Sequence, residues 1–258
     1  MLLDVQNLTK RFGGLTAVGD VSFALADGEI LGIFGPNGSG KTTLLNVVSG
    51  IMAPTSGAVV WRGRPIHGHK PHAIAAAGLV KTFQNPRLFL ELTIADNVAI
   101  ASHLILKREL GLGRLAELLP WRGAIRHAGV TARLDRVLAL CHLDGVRDQR
   151  AAGLSYGQEK MLGVAMAMMC EPTLLLLDEP ASGLGEDEIR NLDVVLRNLR
   201  AAGTTLCIID HKVDFLSRIA DRAIALQQGT KISEGTPAEV LRNPAVVEAY
   251  LGRSHARA

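Results

Sequence analysis

Cysteine is scarce in this chain of 258 residues: three, at Cys141, Cys170 and Cys207. They lie far apart and form no C-x-x-C, so neither the spacing of a zinc site nor a disulfide framework is present. Such usage fits a reducing compartment. Aromatic residues make up only 4%. None alternate with basic residues along a stripe, so no nucleic-acid partner is expected. No apolar run approaches the roughly 20 residues that span a bilayer, and no charged-then-apolar leader opens the chain. The expectation is a protein that is soluble or that docks on a membrane through a partner. The net charge of +3 is small, with basic residues gathered only in the middle of the chain and in a short tail at 253–257.

What is present begins with Gly35-Pro36-Asn37-Gly38-Ser39-Gly40-Lys41-Thr42-Thr43, which fits the phosphate-binding loop G-x-x-x-x-G-K-[ST]. Glycines let backbone N–H groups close around an anion without a Cβ in the way. Lys41 then places a charge on the β/γ-phosphates, and Thr42 offers a hydroxyl to Mg²⁺. Residues 29–34 read as a buried strand leading in, and 41–49 as a helix leading out, ended by Gly50. A helix N-terminus thus points at the phosphates. The plainer alternative is a glycine-rich turn.

The second signal is Leu174-Leu175-Leu176-Leu177-Asp178-Glu179-Pro180. An apolar strand ending in acid puts carboxylates at the carboxyl edge of a parallel sheet, where ligands bind. Asp178 can hold Mg²⁺, and Glu179 can orient an attacking water. The third is Leu154-Ser155-Tyr156-Gly157-Gln158. Ser155 and Gln158 have capping-box spacing, and Ser155 with the amides near Gly157 would also make an anion site at a helix start. Phe12, in the turn Phe12-Gly13-Gly14, either packs or stacks on a base. His67, His69 and His72 share a loop without carboxylate or thiolate, a setting in which histidines are usually solvated.

For the rest, residues 2–5, 18–25 and 29–34 read as strands of a small antiparallel sheet feeding a central sheet, followed by strands at 58–62 and 79–84. Helical spacing appears at 96–106 and 130–140 and after Ser155. Between the first two lies 107–127, with several Arg and Trp121. It reads as a surface helical insertion, with an amphipathic membrane-surface element as the alternative. Residues 161–258 return to α/β alternation: strands at 174–177, 205–209 and 223–226, helices at 189–199, 213–220, 237–242 and 246–251.

The loop at 35–43, Gln84, the segments 154–158 and 174–180, and His211 occur in an order that resembles the ATPase subunits of ABC transporters, over essentially the whole chain. The resemblance implies an α/β P-loop NTPase core with a mostly parallel sheet, an N-terminal antiparallel β-subdomain and a helical subdomain. The core would be 1–85 plus 156–258, and the helical subdomain 86–155. It implies that Phe12 stacks on the base of ATP, that Gln84 contacts Mg²⁺ and water, and that His211 contacts the γ-phosphate. Ser155 and Gly157 would bind the γ-phosphate held by an opposite subunit in a head-to-tail dimer. Lys10–Gly14, 81–89, the insertion near 105–135 and 235–252 are similar to the branched-chain amino acid uptake branch. That branch implies a bacterial importer with a second ATPase, two integral membrane permeases and a periplasmic solute-binding protein, this chain sitting on the cytoplasmic face of the inner membrane. Relatives in the branch carry urea or amides. Three positions depart from the family pattern: Tyr156 where many members have Gly, a change the uptake branch tolerates, Gly185 where Asp or Asn is usual, and Lys212 where an acid is common. Two other readings stand beside this one, a non-transport ABC-type ATPase and a P-loop phosphotransferase. The second leaves 154–158 and His211 unexplained.

Overall fold

A computed structural model describes residues 1–102 and 128–251. The insertion expected at 107–127, with Trp121, and the basic tail at 253–257 lie outside the described residues.

Three five-residue strands build the centre: β3 (Ile30–Phe34), β7 (Leu174–Asp178) and β8 (Thr205–Ile209), every residue buried. Continuous burial is what a parallel strand covered on both faces requires. With β6 (Leu79–Lys81), β9 (Arg222–Gln227) and β10 (Thr230–Gly235) they form a six-stranded sheet in the order β10-β9-β3-β8-β7-β6. All neighbours are parallel except β9 and β10. Alternate residues feed two cores, as the two-residue period of a strand dictates. Leu175, Leu177, Leu206 and Ile208 face one; Leu174, Leu176, Cys207 and Ile209 face the other.

The second core is closed by a four-stranded antiparallel sheet in the order β2-β1-β4-β5, from β1 (Leu3–Phe12), β2 (Leu15–Leu25), β4 (Ser56–Trp61) and β5 (Arg64–Pro65). Two sequence expectations are corrected here. Residues 29–34 were expected in the antiparallel sheet, but β3 pairs with β8 and β9 at the centre of the parallel one. The strand expected over 79–84 ends at Lys81, so Gln84 lies in the following loop.

Among the described residues the α-helices are α1 (Lys41–Val48), α2 (Pro71–Ala76), α3 (Ile94–Ile100), α4 (Ala128–Leu140), α5 (Tyr156–Met168), α6 (Glu186–Ala201), α7 (Val213–Ile219), α8 (Pro237–Arg242) and α9 (Pro244–Leu251). His72 belongs to α2, not to a loop. The helix expected over 96–106 begins earlier, capped by the Thr93 side chain, and is followed by a turn at Ala101 and Ser102; its expected part at 103–106 lies outside the described residues. Helix α6 buries Ile189, Leu192, Val195, Leu196 and Leu199, one stripe at helical spacing. Its first turn holds Glu186, Asp187 and Glu188 and its last Arg200, which suits the helix dipole at both ends. Helix α5 starts with the expected capping box between Ser155 and Gln158. Its Met161, Leu162 and Ala165 join Val98 of α3 and Leu134 and Leu138 of α4 in the same core as β7.

Candidate functional site: a phosphate-loop cleft at four strand ends

Strands β3, β8, β7 and β6 are adjacent and parallel, so their carboxyl ends share one edge. The loop at 35–40 follows β3, His211 lies just past β8, Asp178 ends β7 with Glu179 directly after it, and Gln84 lies three residues past β6. Side chains more than a hundred residues apart in sequence therefore meet, in the crevice where open α/β sheets bind ligands. A cleft of about 930 Å³ lies there, lined by Phe12, Asn37 to Thr43, Gln84, Glu179 and His211, together with Leu15, Thr16, Ala17, Ser182 and Gln228.

The loop's shape depends on its glycines. Gly40 has φ +97°, and a Cβ there would lie 2.2 Å from the Ala17 carbonyl oxygen. At Gly35 a Cβ would meet the Leu226 carbonyl oxygen at 2.1 Å. Neither backbone atom can yield, so any side chain would push the loop off β2 or β9. Gly40 is also the residue at which α1 begins. The first amides of α1 have no intrahelical acceptor and carry the positive end of its dipole. Gly35 and Pro36 do not line the cleft. Their carbonyl oxygens accept hydrogen bonds from Lys41 Nζ at 2.8 and 3.2 Å, which arches the loop around the buried ammonium. Ser39 is buried, and its hydroxyl has no hydrogen-bond partner, a cost that an anion's oxygens would relieve.

Asp178 is 4% exposed. Its Oδ1 accepts from Thr42 Oγ1 at 3.2 Å and its Oδ2 from Lys81 Nζ at 2.9 Å. The hydroxyl and carboxylate make an oxygen pair of the kind Mg²⁺ prefers. Glu179 has φ +52°, a backbone conformation that a non-glycine residue holds only under constraint and that recurs at functional sites. Its N–H donates to the Ile209 carbonyl at 2.8 Å, and its Oε2 accepts from Gln84 Nε2 at 2.8 Å. Phe12 keeps 46% of its surface exposed, with Lys10 Nζ 5.0 Å from the ring centroid. His211 is exposed and turns Nδ1 toward the buried Asp210 carboxylate at 3.7 Å.

Ser155 and Gly157 are not in this cleft. They line a separate crevice of about 80 Å³ with Gln158, Cys141, His142 and Glu188. No local pattern in the sequence gives Lys81 a partner, because Asp178 is 97 residues away. Asp210, fully buried and holding Ala181 N–H and Lys212 N–H at 2.9 Å each, was missed. Its signal was an acid closing an apolar strand just before His211. Among the described residues no helix is long and apolar enough to cross a membrane, and no cluster of three potential metal ligands occurs.

Residues 18–182 match the family described as ABC transporter, and 230–256 match the branched-chain amino acid ATP-binding cassette transporter family. The high-affinity branched-chain amino acid transport ATP-binding protein LivG of Salmonella typhimurium is 40% identical over 257 residues, 98% of each chain. BraF of Pseudomonas aeruginosa, described in the same terms, is 37% identical over 98% of each. A solved structure of the ADP conformation of an ATP-binding cassette of an ABC transporter is 30% identical, with a TM-score of 0.85, over 97% of this chain and 98% of its own. A match over most of the chain, relatives alike from end to end and a phosphate loop at the edge of a parallel sheet agree: the chain belongs to the ABC transporter family, as an ATP-binding subunit that hydrolyses ATP.

Proposed function

We propose that this chain drives a bacterial importer of branched-chain amino acids, paired with a second ATPase subunit, either another copy of itself or a similar chain, against two membrane permeases that receive solute from a periplasmic binding protein. The branch rests on the match at 230–256 and on the relatives at 37–40% identity. A surface for membrane partners is available: Ile51, Phe83, Phe89 and Leu90 are exposed apolar residues. Ile51 and Phe83 line a groove of about 1000 Å³ that also reaches Gln84. Exposed apolar side chains lining a groove, as Ile51 and Phe83 do, can mark an interaction site. The chain then sits peripherally on the cytoplasmic face of the inner membrane.

The observation that carries the mechanism is that the phosphate loop, Glu179, Gln84 and His211 line one cleft, with Asp178 held behind it on the Thr42 hydroxyl, while Ser155 and Gly157 lie elsewhere. One chain presents half of a site, and the opposite subunit's 155–157 segment completes it. Phe12 stacks on the base, and the amides of 38–43 with Lys41 hold the phosphates. Thr42, Asp178 and Gln84 would hold Mg²⁺, which offsets negative charge on the β- and γ-phosphates when bound. Glu179, oriented by Gln84, positions the attacking water and takes its proton. His211 donates to the γ-phosphate. Closure is favoured because each γ-phosphate adds contacts only in the closed dimer. Glu179→Gln then leaves ATP binding intact and lowers turnover by about 10²–10⁴-fold.

The test is to isolate the tagged chain from native membranes and identify its companions. The expected outcome is a complex containing permeases and a second ATPase, its ATP hydrolysis stimulated by binding protein loaded with leucine, isoleucine or valine. Recovery with ribosomes or DNA and no permease would overturn the proposal.

A further inference from the structure

The loop 182–185, which joins the end of β7 to α6, reads Ser-Gly-Leu-Gly, and this chain fastens it from three directions. From β8, Asp210 accepts Ala181 N–H through Oδ2 and Lys212 N–H through Oδ1, both at 2.9 Å. Lys212 then returns its own Nζ to the Leu184 carbonyl oxygen at 2.8 Å. His211 sits between these two anchors and faces the cleft. From α5, the Tyr156 ring backs the loop. Gly183 has φ +78°, and a Cβ there would lie 2.6 Å from Tyr156 Cε1. Lys160 lies 5.3 Å from the same ring's centroid and donates to the Gln84 carbonyl oxygen. From α6, Glu188 Oε2 accepts Gly185 N–H at 3.0 Å while its Oε1 packs against Gly157.

The three positions that depart from the family pattern, Tyr156, Gly185 and Lys212, thus meet on one loop. We propose that Lys212 is a positioning residue that makes the His211 segment and the loop 182–185 move as one unit, with Tyr156 as the backing on the other side. This rests on the reading that His211 faces the γ-phosphate. The physical reason is the closed ring of bonds Ala181–Asp210–Lys212–Leu184. Asp210 is fully buried and cannot exchange its partners for water, and a charged donor on a carbonyl is stronger than a neutral one. A shift of His211 on nucleotide binding is therefore carried to Leu184, and from there through Gly185 and Glu188 to Gly157.

The test compares Lys212→Met and Lys212→Arg in the full-length chain. Affinity for a fluorescent ATP analogue, steady-state ATP hydrolysis and hydrogen exchange of the 181–185 amides are measured. Lys212→Met should bind the analogue within about twofold of wild type, lose about tenfold in kcat at unchanged KM, and exchange the loop amides faster. Lys212→Arg should restore most of the rate. Tyr156→Gly, which removes the opposite support, should show the same split between binding and turnover. Wild-type turnover in Lys212→Met, an affinity loss matching its rate loss, or failure of Arg to rescue would each overturn the proposal. His211→Ala separates the two levels. If it loses turnover while Lys212→Met keeps it, the coupling falls and the reading of the cleft stands. If it keeps full turnover, both fall.

Discussion

Replacing Lys81 by methionine tests the electrostatics of the cleft without touching the phosphate loop. Lys81 and Asp178 are 6% and 4% exposed and 2.9 Å apart. Methionine keeps the volume of the lysine stem and removes the charge. Removing one partner of a buried pair costs about 3–5 kcal/mol, because the other charge stays in a medium that solvates it poorly. Asp178 retains the Thr42 hydroxyl at 3.2 Å, which places this case at the low end, about 3 kcal/mol. For a chain of this size each kcal/mol lowers the melting temperature by about 2–4 °C, so Lys81→Met should melt about 6–12 °C below wild type. The assay is thermal denaturation followed by circular dichroism, without nucleotide or Mg²⁺. The double variant Lys81→Met with Asp178→Asn should recover much of the loss, since no unpaired charge then remains. A shift below about 2 °C, or a double variant less stable than Lys81→Met alone, would refute the reasoning.

Other outcomes follow from the same geometry. Gly40→Ala places a methyl 2.2 Å from the Ala17 carbonyl oxygen, so ATP affinity should fall at least tenfold, by about 1.4 kcal/mol or more, in isothermal titration. Burial pushes the Cys141 and Cys207 thiols from 9.0 up to about 12. Raised thiols contribute stability that is full below about pH 9 and is lost as pH rises toward 12. The urea midpoint should therefore fall across that window, less steeply when both cysteines are alanine, and neither thiol should react with a disulfide reagent in the native chain. The Tyr250 phenol is likewise pushed up to about 12 by burial, against the Gly35 backbone but without a well-formed hydrogen bond. Tyr250→Phe should change stability by less than about 1 kcal/mol in urea melts, whereas Tyr250→Ala, which empties the space beside Gly35, should weaken ATP binding.

Elements whose signal is local were legible in the sequence. β7 is an apolar run that ends in Asp178, and the apolar run of β8 is followed at once by Asp210; burial on both faces demands such composition. The start of α5 was written in Ser155 and Gln158. β1 was legible only as 2–5 because Asn7 takes φ +46° and the pairing register shifts between Val5 and Leu8, which breaks the alternation a strand is recognised by. The place of β3 was hidden for another reason. Its neighbour in sequence is β2, but its hydrogen-bonded partners begin at Thr205 and Arg222, and no local pattern encodes a pairing across such a distance. The site followed the same rule. Each motif announced a residue type and a local conformation, while partnerships such as Lys81 with Asp178 or Lys212 with Leu184 appear only once β6, β7 and β8 lie side by side.

The central claim is that this chain holds half a site and that another subunit's Ser155 and Gly157 complete it. The direct measurement mixes two inactive chains. Lys41→Ala has a damaged phosphate loop and an intact 155–157 segment; Ser155→Arg has the reverse. In a mixed dimer one site is assembled from the two intact halves, so ATP hydrolysis should reappear on mixing and fall again when either chain is in large excess. A mixture as inactive as its parts, alongside full turnover by a wild-type chain that stays monomeric in saturating ATP, would contradict the account.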